Sequence, residues 1–203
     1  MLKAGLTGGL ACGKTSVSEA LASWGCYVIQ ADEIGHQVLA PGGEAFEPVV
    51  REFGNEVLAE DGTIDRRKLA AVVFHDPERL ARLNAIVHPP VVRREEQLAA
   101  EFFARDPHGI AVVEAAILIE TGSYRRFDKL ILVFCAQEQQ IKRALRREGS
   151  AEADISARIE RQMPLEEKRR YADFVIDTSG SKEETLRQTR AVYETLRKFE
   201  SEK

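Results

Sequence analysis

Three cysteines in 203 residues are too few, and odd in number, for a disulfide framework. Cys12, Cys26 and Cys135 also lack the close spacing that zinc ligands share. Long apolar runs are missing too, since no stretch approaches the roughly 18 residues that cross a bilayer. The opening Met1-Leu2-Lys3-Ala4-Gly5-Leu6 has no extended apolar core of the signal-peptide kind. Nor is there a basic surplus: 29 Lys+Arg stand against 33 Asp+Glu, a formal charge of −4. That balance argues against a general nucleic-acid or membrane binder. Internal repeats and low-complexity linkers are absent as well. What remains is 44% apolar and 31% charged, the balance of a globular chain. A cytoplasmic α/β protein with insertions is the expectation.

The first unit reads strand, loop, helix. Leu2–Leu6 reads as the strand, Thr7–Gly13 is glycine-rich, and a helix opens near Lys14 with Val17, Leu21 and Trp24 on one face. Gly25 is placed to stop it, and Tyr27-Val28-Ile29 supplies the next strand. This order favours a parallel sheet with right-handed crossovers. From Asp32 to about Asp106 the pattern is helical. Asp76-Pro77-Glu78 combines a cap, a first-turn proline and an acid, and Val87-His88-Pro89-Pro90 predicts a break before a further helix. Strand signals return at Ile110–Val113 and Leu130–Phe134, both continuous apolar runs suited to burial on two faces. An Arg-dense helical stretch, Gln137–Arg170, is interrupted by Gly149 and Pro164. A last strand at Phe174–Ile176 precedes a helix with a Ser181–Glu184 capping box. The expected architecture is α/β: five parallel strands with two helical excursions.

Gly8-Gly9-Leu10-Ala11-Cys12-Gly13-Lys14-Thr15 fits G-x-x-x-x-G-K-[ST], the P-loop. Glycines let successive N–H groups curl toward phosphate oxygens, and the helix that follows adds its positive end. Lys14 can reach the β- and γ-phosphates, and the Thr15 hydroxyl can ligate the Mg²⁺ that bridges them. A guanine-nucleotide switch protein would need N-K-x-D, which this sequence lacks. Asp32-Glu33-Ile34-Gly35 matches D-x-x-G only by accident, since it follows the second strand. Phosphoryl transfer to a small acceptor is the better class. Asp32, at the carboxyl end of that strand, suits either a base for the acceptor hydroxyl or a cap for a helix starting at Glu33. Glu114 ends the third strand, the place for an acid that orients Mg²⁺ through water, and Glu120 could equally pair with a basic side chain. Arg143 and Arg147 share a helical face with Arg146 alongside, fit for triphosphate oxygens or for plain solvation by nearby acids. His88, ahead of Pro89, reads as a turn or capping residue. Cys12, near a helix amino terminus, could react with oxidants or serve only through its main-chain N–H.

Over essentially its whole length the chain resembles the dephospho-coenzyme A kinases. The resemblance rests on Leu6–Gly9 with Gly13–Thr15, Ala31-Asp32, Pro41–Gly43, Phe53-Gly54, Asp65–Arg67 with Leu69, and His88-Pro89. Later it runs through Ile117–Glu120, Gln140–Arg143, Arg158, Gln162–Pro164 with Lys168, and Ala172–Asp177. It implies a P-loop kinase core (residues 1–31, 107–135 and 171–203), a helical acceptor region (32–106) and a helical lid (136–170). It also implies ATP-dependent phosphorylation of the ribose 3′-hydroxyl of dephospho-CoA, with Mg²⁺. Carried over by position, Gly8, Gly9 and Ala11–Ser16 bind ATP, with Thr15 on the metal. Lys14, Asp32 and Arg143 are the catalytic set, and Asp32, Arg66, His88 and Glu120 meet the acceptor, with Arg67 a further candidate. Two positions depart from the pattern. Gln30 stands where the family commonly has an acid, which puts the base on Asp32, and Ala116-Ile117-Leu118 replaces a usual Pro-Leu-Leu. Other small-acceptor kinases and a non-catalytic ATP sensor remain as competing readings.

Overall fold

The computed structural model describes residues 1–73, 75–148 and 151–202. Gly149, expected to interrupt the Arg-dense stretch, lies outside them. The elements run β1 (Leu2–Gly8), α1 (Lys14–Ser23), β2 (Tyr27–Gln30), α2 (Ala31–Val38), α3 (Phe46–Phe53), α4 (Arg66–Val73), α5 (Pro77–Arg105) and β3 (Ile110–Glu114). Then follow β4 (Lys129–Phe134), α6 (Gln137–Glu148), α7 (Glu152–Glu160), α8 (Leu165–Lys168), β5 (Phe174–Asp177) and α9 (Lys182–Ser201). The sheet order is β2-β3-β1-β4-β5, with β1 parallel to both neighbours and β4 parallel to β5. All five expected strands form.

This order has a consequence for chemistry. The chain leaves β1 toward β2 and β3 on one side and later places β4 on the other, so the direction of winding reverses at β1. In open α/β sheets such a reversal opens a crevice at the carboxyl ends of the strands, where ligands bind. The glycine-rich loop is the segment that leaves β1 at that point.

Two compact units divide the chain: Met1–Ile29 with Ala99–Lys203, and Gln30–Leu98. The first is built on the sheet. Leu2, Ala4 and Leu6 of β1 join Val17, Leu21, Val112, Ile131, Val133, Ile176, Val192 and Leu196 in a buried core. The β1, β3 and β4 sequences carry almost no outward-facing polar side chain because strands of this kind are covered on both faces. The second unit has its own core of Val49, Phe53, Val57, Ile64, Leu69 and Val73. Its one strand-like feature among the described residues is the antiparallel bridge Leu58–Ile64.

The expected break at Val87–Pro90 does not occur. α5 runs unbroken from Pro77 to Arg105, with Pro89 and Pro90 inside it. Each proline withholds an N–H from the helix ladder, a cost of about 3 kcal/mol in an exposed helix interior. Packing outweighs this local preference: Leu80, Leu83, Ile86 and Val87 lie against the second core, and Pro90 and Ala99 are buried. The start of the same helix follows its sequence. Asp76 Oδ1 accepts from the N–H groups of Glu78 (2.9 Å) and Arg79 (3.1 Å), ahead of the first-turn proline. No helix among the described residues is long and apolar enough to cross a membrane.

Removing that cap in Asp76→Ala leaves two helix N–H groups to water and should lower unfolding free energy by about 1 kcal/mol. Urea denaturation checks this; an unchanged midpoint would mean the cap contributes nothing to the second unit.

Candidate active site

The loop between β1 and α1 is held in a conformation that few sequences allow. Ala11 and Gly13 both have left-handed backbone, at φ 56° and 86°, and Gly13 is the residue from which α1 springs. Gly8 is required for a different reason: a Cβ there would stand 2.5 Å from the Val133 carbonyl oxygen of β4. The first turn of α1 carries no acid, so its positive end is not neutralised by its own side chains. Lys14 lies back over the loop, donating from Nζ to the carbonyls of Gly9 (3.2 Å) and Gly8 (3.4 Å). A curled loop, an acid-free helix start and an overlying ammonium are together suited to a polyphosphate.

Three side chains that the motif does not contain fix this loop. Thr178, just beyond β5, donates its hydroxyl toward the carbonyls of Cys12 (2.8 Å) and Phe134 (3.2 Å). Gln140 of α6 donates to the Leu10 carbonyl at 2.8 Å, and Leu10 N–H donates to Gln162 Oε1 at 3.0 Å. Leu10 is therefore bracketed by two glutamines from the Arg-dense region. Sequence reasoning assigned no role to any of the three. The Q-I-K-R and Q-M-P strings were the only pointers, and neither spacing nor composition says what a lone glutamine holds.

Arg143 is not on a solvated face. Its guanidinium donates to Thr178 Oγ1 (3.0 Å) and to the Thr178 carbonyl (2.6 Å), so it buttresses the residue that holds Cys12. It also lines a cavity of about 420 Å³ with Gly13, Ser16, Thr178, Gly180 and Ser181. Arg146 and Arg147, which flank it, are exposed. At the carboxyl end of β3, beside Leu6 in the sheet register, Glu114 has a buried Oε2 with no hydrogen-bond partner. A buried carboxylate oxygen left so is costly unless a ligand or ion is to meet it.

Glu120 makes the ion-pair contact that its alternative reading foresaw. Its Oε1 is 2.7 Å from Lys168 Nζ and accepts from Met163 N–H at 3.2 Å. Lys168 is fully buried and also donates to the Ala116 carbonyl at 2.9 Å, which Thr7 Oγ1 meets at 3.2 Å. One ammonium thus ties the α8 segment to the turn after β3 and, through it, to β1.

In the second unit, Asp32 is the second residue of α2 and is exposed. The expectation that it might cap a helix at Glu33 is corrected. The helix starts two residues earlier at Ala31, Gln30 holds the cap position, and no side-chain cap bond forms there. Asp32 then keeps its carboxylate outward while still benefiting from the helix amino terminus. Arg66 and Arg67 are exposed at the start of α4, where Asp65 caps the helix by accepting from Arg67 N–H (2.8 Å) and Lys68 N–H (3.2 Å). Those bonds hold the Asp65 carboxyl below its ordinary value. His88 sits within α5 rather than at a turn, and burial lowers its imidazole from the ordinary value.

The Glu120–Lys168 pair yields a test. Glu120→Gln leaves a buried ammonium facing only neutral acceptors and should cost about 3 kcal/mol of stability. Thermal unfolding reads the loss. An unchanged melting temperature with a raised KM for the acceptor would instead place Glu120 against substrate.

A family model described as Dephospho-CoA kinase matches residues 2–184. A dephospho-CoA kinase of Aquifex aeolicus is 41% identical over 196 residues, covering 97% of this chain and 98% of that protein. Among solved structures, TT1252 from Thermus thermophilus is 35% identical with a TM-score of 0.82, over 96% of this chain and 97% of that one. A dephospho-CoA kinase from Campylobacter jejuni is 27% identical with a TM-score of 0.68, over 97% of both chains. On a match that spans nearly every residue from β1 into α9, this chain belongs to the dephospho-CoA kinase family.

Proposed function

We propose that the loop Gly8–Ser16 grips the phosphates of ATP while Asp32 serves the acceptor, in the reaction that makes CoA and ADP from dephospho-CoA. As a member of its family the chain is a kinase whose acceptor is an alcohol group of dephospho-CoA, which places it at the final phosphorylation of CoA synthesis. The observation that carries the residue-level reading is the curled loop itself. Left-handed backbone at Ala11 and Gly13, the uncapped start of α1 and the overlying Lys14 meet in this one segment.

Each residue then has a physical task. Lys14 exchanges the Gly8 and Gly9 carbonyls for β- and γ-phosphate oxygens and offsets charge on the group in flight. Arg143, beside the cavity next to Gly13 and Ser16, stabilises the donor nucleotide, whose adenosine fits that cavity. Asp32 accepts a hydrogen bond from the acceptor's ribose 3′-hydroxyl, orients it, and takes its proton late in a loose transition state. The helical unit, including Arg66 and His88, is assigned to the acceptor, and the segment 136–170 to a lid over ATP. Glu120 acts on the acceptor side through the segment it ties to Lys168.

The residues present also fit a divalent metal that arrives with the nucleotide. Among the described residues no three His, Cys, Asp or Glu side chains cluster as a protein cage. Thr15 offers a hydroxyl at the loop, and the unpartnered Glu114 oxygen offers an acceptor for a metal-bound water. We assign Mg²⁺, which when bound screens charge between the terminal phosphates. We also assign the protein to the cytoplasm, in keeping with an ATP-dependent kinase whose described residues include no helix long and apolar enough to cross a membrane.

ADP release measured with dephospho-CoA beside common nucleosides and nucleotides tests the substrate. Turnover with dephospho-CoA is expected, and turnover with nucleosides or nucleotides alone would overturn it. Lys14→Ala should lose on the order of 100-fold in kcat, and near-normal turnover would remove Lys14 from the mechanism. Asp32→Asn should lose about 100-fold in kcat with ATP affinity intact. Weakened ATP binding in that variant would instead make Asp32 structural.

A further inference from the structure

Cys12 is part of the phosphate loop, yet its side chain has no part in the reading above. It points away into the protein, where Sγ lies 3.4 Å from Sγ of Cys135, the residue directly after β4. Both thiols are free and buried. Two buried thiols could be mere packing, since cysteine is a small apolar side chain that interiors favour. Three observations say more. The sulfurs are aligned as donor and acceptor, with the Cys135 S–H directed at Cys12. Cys135 lines a cavity of about 520 Å³ together with Gly9, Gln140 and Gln162. Gly9, which lines the same cavity, packs closely against the pair: a Cβ there would stand 3.2 Å from Cys12 Sγ and 2.3 Å from Gln140 Nε2. The cavity therefore borders the pair on the Cys135 side.

We infer that Cys12 and Cys135 form a peroxide-sensitive dithiol whose oxidation to a disulfide disables the phosphate loop. Cys12 is the sulfur poised to attack. The bond from the Cys135 thiol, helped by the Lys14 charge, lowers it to about 7, while Cys135 is raised by the same contact and by burial. The Cys12 thiolate attacks one oxygen of hydrogen peroxide, the O–O bond breaks, and the hydroxide that leaves takes a proton to become water. Cys12 is then a sulfenic acid. Cys135 gives up its proton and attacks the Cys12 sulfur, forming S–S and expelling a second hydroxide, which becomes a second water. Two thiols and one peroxide give one disulfide and two waters, so the balance closes with no other reactant.

The consequence follows from where Cys12 sits. Bonding sulfurs lie about 2.05 Å apart, so the pair must close by more than about 1 Å. Cys12 is set between Ala11 and Gly13, both in left-handed backbone, and its carbonyl is the anchor for Thr178. Drawing it toward β4 turns the amides on either side and loosens the Thr178 contact. The predicted loss of turnover rests on the proposed phosphate role of this loop, whereas formation of the bond does not.

The test treats the full chain with hydrogen peroxide and reads intact mass and ADP release in parallel. The oxidised protein should lose the mass of two hydrogens and yield a cross-linked peptide joining Cys12 to Cys135. Its kcat/KM should fall on the order of 100-fold, the scale expected when reacting groups are displaced by about 1 Å, and dithiothreitol should restore it. Cys135→Ala should keep the untreated enzyme's activity and, under peroxide, gain oxygen without losing hydrogens. Absence of the cross-link in the unsubstituted chain overturns the proposal. So does a cross-link without loss of turnover, or equal and equally reversible inactivation of Cys135→Ala. Activity of the reduced enzyme, measured first, shows separately whether the kinase reading has failed.

Discussion

A hydroxyl, two glutamine amides and a guanidinium hold the loop after β1 in the curl on which every later step depends. Thr178 takes the Cys12 carbonyl, Gln140 and Gln162 take the two polar groups of Leu10, and Arg143 fixes Thr178. An open loop of small residues would lose backbone entropy on ordering and have no reason to keep its N–H groups facing one way. Here the Leu10 and Cys12 carbonyls and the Leu10 N–H are held by side chains from outside the loop, which fixes its curl. The sheet order supplies the location, since the strand that launches the loop is the one at which the winding reverses.

The same supports link the loop to the rest of the sheet-based unit. Gln140 and Arg143 come from α6, Gln162 from the turn after α7, and Lys168 from α8, so the Arg-dense region is fastened at several points. Lys168 is the deepest of these, an ammonium with no exposure that joins Glu120 to the Ala116 carbonyl. Burying a charge this fully is tolerable only because a carboxylate and a carbonyl meet it. The gain is position: the turn that follows Glu114 is fixed against β1, and with it the carboxylate whose second oxygen has no partner.

Much of this was legible in the sequence, and the boundary has physical causes. Strands covered on both faces write themselves as apolar runs, so β3 and β4 could be read directly, and the phosphate loop announces itself because only glycine fits the close approach of β4 at Gly8 and the left-handed backbone at Gly13. Asp76 and Ser181 cap the helices their neighbours predict. Pro89 and Pro90 misled because local preference is weak against packing along a 29-residue helix. Thr178, Gln140 and Gln162 were silent for a different reason. A polar side chain that satisfies one main-chain group far away in sequence leaves no periodicity and no spacing. The closeness of Cys12 and Cys135, 123 positions apart, is invisible for the same cause.

The central claim is that main-chain N–H groups from Gly8 to the first turn of α1 receive the phosphates of ATP. Hydrogen exchange of the peptide spanning residues 6–17, with and without magnesium-ATP, tests it most directly. Marked slowing confined to that loop and the start of α1 is the expected result, because amides bonded to phosphate no longer exchange freely. Unchanged exchange there at saturating nucleotide would contradict the account.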